Sequence, residues 1–218
     1  MSAAPARAFE VRHLQLARAL FAAIAAIMIT FSPDHSAGVG LAAFSGWAIA
    51  TALVFFVSAW LVYPKGDRAT AIALGIITIV AGMIAGLPGM RTTTMFFVVV
   101  IAWAVLAGVV ELVSGIRRRR VDPASRDAIL IGAVTLALAL GLLLVNPAYS
   151  LEYFIKEAGQ TFVLTGITIG VGIFGGYAAI VGVFLAIAGF SPRRTEVAGA
   201  EHGAEHGADS SETAGEPA

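Results

Sequence analysis

From residue 14 onward the chain alternates long apolar runs with short polar breaks. Six runs stand out, at about 14–32, 40–63, 69–88, 93–116, 127–146 and 166–190. Each comes close to or exceeds the roughly 20 residues that a helix needs to cross a bilayer core of about 30 Å. The breaks are built from stop signals: Ser32-Pro33-Asp34, Pro64-Lys65-Gly66-Asp67, Leu87-Pro88-Gly89, Val121-Asp122-Pro123 and Asn146-Pro147. Proline ends a helix because it lacks the amide donor and its ring collides with the preceding turn. Open strand edges cannot be satisfied in lipid, so the runs read as helices. The expected fold class is all-α, a polytopic membrane bundle of six transmembrane helices.

The runs repeat in pairs. With the second and fourth set at an offset of 56, Trp47 meets Trp103, Ala48 meets Ala104, and Val57-Ser58 meets Val113-Ser114. An offset of 74 carries the fourth run onto the sixth: Trp103 meets Tyr177, Ala104 meets Ala178, Val109 meets Val183 and Gly115 meets Gly189. The odd runs each end in proline (Pro33, Pro88, Pro147), and Gly82 and Gly141 both lie six residues before it, where the first copy has Ile27. The unit is a helical hairpin of about 56 residues present three times, at about 14–63, 69–116 and 127–190. Three parallel copies differ from the inverted repeats of many secondary transporters.

The third copy carries about 15 extra residues after Pro147. Leu151, Phe154, Ile155, Ala158 and Phe162 follow helical spacing, and Glu152 and Lys156 stand in the favoured i,i+4 order. Two readings fit residues 148–165: a short helix lying on the membrane surface, or an outward extension of the sixth helix.

Composition agrees with the membrane reading. The chain is 58% hydrophobic and 13% charged, against about 25% charged in an ordinary soluble domain. It has no cysteine, which removes disulfides, thiolate metal sites and cysteine nucleophiles from consideration. Formal net charge is zero, but the 14 basic residues are unevenly placed. With a cytoplasmic N-terminus, twelve fall inside: Arg7, Arg12, Arg18, Lys65, Arg68, Arg117, Arg118, Arg119, Arg120, Arg126, Arg193 and Arg194. Only Arg91 and Lys156 fall outside. The positive-inside bias therefore predicts both termini in the cytoplasm and a multi-pass protein of the inner (plasma) membrane. Residues 1–13 read as a cytoplasmic segment and 14–190 as the membrane domain.

The C-terminal 191–218 is different material: Arg193 and Arg194, then six acidic residues among Ala, Gly, Ser and Thr. It has too little apolar surface to fold alone and reads as a disordered acidic tail that could recruit a soluble partner. Its AEHGAEHG repeat spaces His202 and His206 for a shared metal on a helix. The glycine after each His argues for a solvated tail instead.

Enzyme signatures are absent from the spans: no HExxH, G-x-S-x-G or phosphate loop. No catalytic residue, metal site or cofactor is expected, and no nucleic-acid partner. The cluster Arg117 to Arg120 closes a helix, where it serves topology and lipid headgroups. Glu111 is the one carboxylate deep in a run. It lies five residues before Ile116, about 7–8 Å inside the boundary at ~1.5 Å per residue. Arg18 reaches a similar depth from the other direction, so an Arg18–Glu111 pair bridging the first and fourth helices is expected. Arg68 and Arg126 are secondary partners, and proton sensing by Glu111 is the functional alternative. Gly82 with Gly86, Gly166 with Gly170 and Gly172 with Gly176 form small-xxx-small pairs suited to close helix packing or homo-oligomerisation. Thr51, Ser58, Thr78, Ser114, Thr135 and Thr168 are the hydroxyls a polar path would need.

The stretch ALGIITIVAGMIAGLPG followed by FFVVVIAWAVLAGVVELVSGIRRRR resembles the HdeD-type acid-resistance membrane proteins. The likeness is best over residues 69–120, looser over 127–190 and weakest over 14–63. It implies a six-span, non-enzymatic inner-membrane protein associated with acid or envelope stress tolerance. A small transporter or channel, or an accessory subunit, is the alternative.

Overall fold

The computed structural model describes residues 11–63, 68–120, 125–156 and 159–191. Six helices carry it: α1 Val11–Phe31, α2 Ala37–Leu61, α3 Arg68–Gly86, α4 Thr93–Arg118, α5 Ser125–Leu144 and α6 Gly166–Phe190. All six are long and apolar enough to cross a membrane, and the chain is an all-α, multi-pass membrane bundle. Helix α1 includes His13. Residues 1–10, the breaks at 64–67 and 121–124, and the tail from 192 with His202 and His206 lie outside the described residues.

Each even helix begins on a hydroxyl cap. Ser36, Thr92 and Thr165 accept from the amides of Val39, Met95 and Thr168, satisfying donors that the first helical turn leaves free. The turn before α4 contains a short 3-10 turn at Pro88–Met90.

The helices pack in sequence order and α6 closes the ring against α1. The even helices α2, α4 and α6 meet across the centre through Trp47, Trp103 and Tyr177. The buried positions repeat with the three copies. Buried Leu41, Phe44, Trp47, Ala48 and Ala52 of α2 recur at offset 56 as buried Phe97, Val100, Trp103, Ala104 and Gly108. A further 74 gives buried Val171, Phe174, Tyr177, Ala178 and Gly182. In the odd helices, Ala19, Ala22, Ala26 and Ile29 correspond to Gly75, Thr78, Gly82 and Ala85, then to Gly132, Thr135, Ala139 and Leu142. Gly82 thus corresponds to Ala139, not to Gly141. Distance from the terminal proline misled because the helix ends differ in length while the packed face keeps register.

Three seams, α2/α3, α4/α5 and α6/α1, are the close ones. Here the chain has glycine where a Cβ would strike the neighbour. A Cβ on Gly132 would stand 2.5 Å from the amide nitrogen of Leu112, and one on Gly115 2.9 Å from that of Ile129. On Gly189 it would meet Leu16 at 2.7 Å. Gly82 and Gly86 lie against Ala48, Ile49 and Ser45, and Ser45 Oγ donates to Gly82 O at 2.8 Å. Close backbone approach is what holds helices together where lipid removes the hydrophobic drive.

The extra residues after Pro147 are neither a surface helix nor an extension of α6. They form a β-hairpin, β1 Ser150–Ile155 antiparallel to β2 Gln160–Thr165, with Ser150 opposite Thr165 and Ile155 opposite Gln160. The segment is rich in strand formers, Tyr153-Phe154-Ile155 and Thr161-Phe162-Val163. Gly159 takes φ +62°, a conformation that interrupts any helix at its middle. Tyr153 and Phe162 stack across the strands at 6.1 Å.

Candidate functional site

The pseudo-threefold axis is filled by layers, one residue from each even helix. Nearest the β-hairpin end, Phe96 occupies the axis between Gly40 and Gly170. A Cβ on either glycine would come within 3.0–3.1 Å of the Phe96 ring, so the two glycines make room for it. Phe44, Val100 and Phe174 follow, all fully buried. Then come Trp47, Trp103 and Tyr177, with centroids 5.0, 6.0 and 6.2 Å apart pairwise and edge-to-face geometry throughout. That geometry sets positive ring edges against negative faces. Two of the three polar tips are satisfied from the odd helix behind. Trp103 Nε1 donates to Thr78 Oγ1 at 3.2 Å, and the Tyr177 hydroxyl bonds Thr135 Oγ1 at 3.0 Å. The third copy-equivalent of those threonines is Ala22, and Trp47 Nε1 has no partner among the described residues.

Below this layer the symmetry breaks in charge. Phe55, Glu111 and Leu185 share a layer, with Arg18, Leu74 and Ile131 beside them from the odd helices. Arg18 Nη2 donates to Glu111 Oε1 at 2.8 Å, with the side chains only 14% and 8% exposed. The guanidinium also lies 4.5 Å above the Phe55 ring centroid. One ion pair thus ties α1 to α4 across the bundle, at the shared depth expected for it. Arg68 is occupied elsewhere, donating to Tyr63 O at 3.1 Å and lying over Trp60. Arg126 is exposed.

From the end where α1 begins, which also carries Arg117 to Arg120, a vestibule of about 110 Å³ leads to this pair. Gln15, Tyr63, Ser114, Arg118 and Asp127 line it with Arg18 and Glu111. Gln15 Nε2 donates to Asp127 Oδ2 at 2.7 Å, a second polar link, α1 to α5, that sequence reasoning missed. Arg117 and Arg118 end α4 and Arg119 caps it, where positive charge meets the negative end of the helix dipole.

The hydroxyls do not form a path across. Ser58, Ser114 and Thr135 donate back to carbonyls of their own helices, Phe55, Glu111 and Ile131, and Thr168 pairs with the cap Thr165. Of the glycine pairs, Gly170 faces Phe96 and Phe97, and Gly166 abuts Asn146 and Pro147. Gly172 and Gly176, expected to serve close helix packing or homo-oligomerisation, face outward with open space at their Cβ positions. The packing glycines that the small-xxx-small spacing did not single out include Gly40, Gly75, Gly108, Gly115, Gly132, Gly175 and Gly189.

Comparison with protein-family models, curated proteins and solved structures finds no match to this chain. The class the fold defines is therefore the general one, a six-helix membrane bundle with a plugged axis and a one-sided polar vestibule.

Proposed function

We propose that the protein is a non-enzymatic structural bundle of the inner membrane, with both termini cytoplasmic, acting in acid or envelope stress tolerance as its resemblance to HdeD-type proteins implies. The observation that supports a scaffold over a conduit is the axial plug. Phe96, Phe44, Phe174, Trp47, Trp103 and Tyr177 stack in three successive buried layers, leaving no polar route between the vestibule and the β-hairpin end. The uneven basic residues support that orientation, in which the vestibule would face the cytoplasm.

Purified protein in liposomes tests the reading. It is expected to leave proton and potassium permeability at the level of protein-free vesicles, and a deletion strain is expected to lose survival at low external pH. Flux that depends on the protein and rises when Phe96→Ala opens the plug would favour a channel. Normal acid survival of the deletion strain would remove the stress role. Phosphatase fusions should be active after residue 89 and inactive after residue 120. Gly172 and Gly176 leave a shallow outward groove on α6 that suits self-association. Cross-linking through Gly176→Cys is expected to capture a dimer in membranes. Loss of a co-purifying partner on removing residues 195–218 would support the accessory-subunit reading.

A further inference from the structure

Among the core positions where the three copies differ in polarity, Gln15 and Ser45 stand apart, and four others cluster about the Arg18–Glu111 pair. Where the other copies have Ala107 and Val181, the first has Thr51. Where they have Leu74 and Ile131, it has Arg18. Where they have Thr78 and Thr135, it has Ala22. Where the first and third have Phe55 and Leu185, the second has Glu111. Arg18, Thr51 and Glu111 line one small chamber on the axis, of about 10 Å³, beneath the Trp47–Trp103–Tyr177 layer.

Two polar atoms in that region are buried and unpartnered: Trp47 Nε1, on a residue 6% exposed, and Thr51 Oγ1, on one 3% exposed. They sit at i and i+4 on α2, hence one turn apart on one face. One is a donor only, and the other accepts and donates. Both line the chamber. Its volume is close to the ~10–15 Å³ that one water centre requires, and a buried water needs two to four polar partners. Trp103 and Tyr177, by contrast, are satisfied by protein hydroxyls and leave nothing for a ligand to do.

We propose that this chamber is a built site for a single water molecule, accepting from Trp47 Nε1 and bonding Thr51 Oγ1, in the place of the hydroxyl that Ala22 lacks. The vestibule and the chamber share Arg18, Phe55, Leu74 and Glu111 in their walls. The ion pair therefore stands between the bound water and the vestibule, and the vestibule gives the water a way to the axis. Glu111 then has water on both faces, in the chamber and in the vestibule.

Water-to-indole cross-relaxation in the ¹⁵N-labelled full chain, in lipid nanodiscs, tests this. Trp47→Phe and Trp103→Phe assign the two resonances. The Trp47 indole proton is expected to show a contact with long-lived water, and that of Trp103, held by Thr78, to show none. Ala22→Thr supplies the missing hydroxyl and is expected to abolish the Trp47 signal while keeping helicity. Thr51→Val, which keeps shape and removes the second partner, is expected to do the same if Ala22→Thr does not fold. A Trp47 indole silent toward water in the wild type overturns the proposal. So does a signal that persists in whichever variant is folded, or equal signals from Trp47 and Trp103.

Discussion

Replacing Arg18 and Glu111 singly and together gives a sharp test of what their contact does. The pair is short, 2.8 Å, and largely buried. Removing one partner from a buried pair costs about 3–5 kcal/mol because a charge is left without compensation. The vestibule of about 110 Å³ brings water to that charge, so the lower end of the range applies, about 3 kcal/mol for Arg18→Leu or Glu111→Leu. The repeat itself supplies the control. Leu74 and Ile131 stand where Arg18 does, and Phe55 and Leu185 stand where Glu111 does, so an apolar layer is already the rule in the other copies. The double variant Arg18→Leu/Glu111→Leu should therefore regain most of the loss, ending within about 1 kcal/mol of wild type or above it. Unfolding in mixed micelles under increasing SDS, followed by circular dichroism and tryptophan fluorescence, measures all four corners of the cycle. Single variants within about 0.5 kcal/mol of wild type would show an ion pair without energetic weight. A double variant as unstable as the sum of the singles would show that the side chains act separately, and the pairing argument would fail.

Other expectations follow from the same packing. Gly132→Ala forces a Cβ to 2.5 Å from a backbone nitrogen of α4 and should cost about 1–3 kcal/mol. Gly176→Ala, facing open space, should be neutral or stabilise by up to ~1 kcal/mol through helix propensity; the two are compared by the same micellar unfolding. Thr78→Val strands the Trp103 indole, buried with it, and should cost about 1–3 kcal/mol, with a changed Trp103 emission as the spectroscopic check. Gly159→Val must hold a β-branched residue at φ +62°. It should loosen the β-hairpin by about 1–2 kcal/mol, read as faster proteolysis between residues 150 and 165 at unchanged bundle stability.

The spans and the hairpin repeat were legible because hydrophobic length and the aromatic-small dipeptides Trp47-Ala48, Trp103-Ala104 and Tyr177-Ala178 are strong local signals. The shared depth of Arg18 and Glu111 was legible from helix rise alone. What escaped was anything set by which face of a helix turns inward. Gly172 and Gly176 have the same four-residue spacing as Gly166 and Gly170, yet only the latter pair meets a neighbour. Spacing fixes that two residues share a face, not which face. The equivalence of Ala22 with Thr78 and Thr135 was hidden for a related reason: Gly82 and Gly141, matched by their proline distance, put the odd helices out of register. The β-hairpin was missed because Leu151, Phe154, Ile155 and Phe162 also satisfy a helical period, and strand propensity over so short a stretch competes with it.

Closure of the ring by α6 against α1 means that the packing keeps the order of the helices but does not mark which of them comes first. The α6/α1 seam is built as the α2/α3 and α4/α5 seams are, though no peptide crosses it in the described chain. Those other seams are bridged by the short segments 62–67 and 119–124. A linker of similar length from residue 191 to residue 11 would close the described chain into a circle. The circle could then be cut before α4, and a chain beginning at Thr92 and ending at Arg91 would have the same neighbours for every helix. Topologically the six described helices are a cycle of three units.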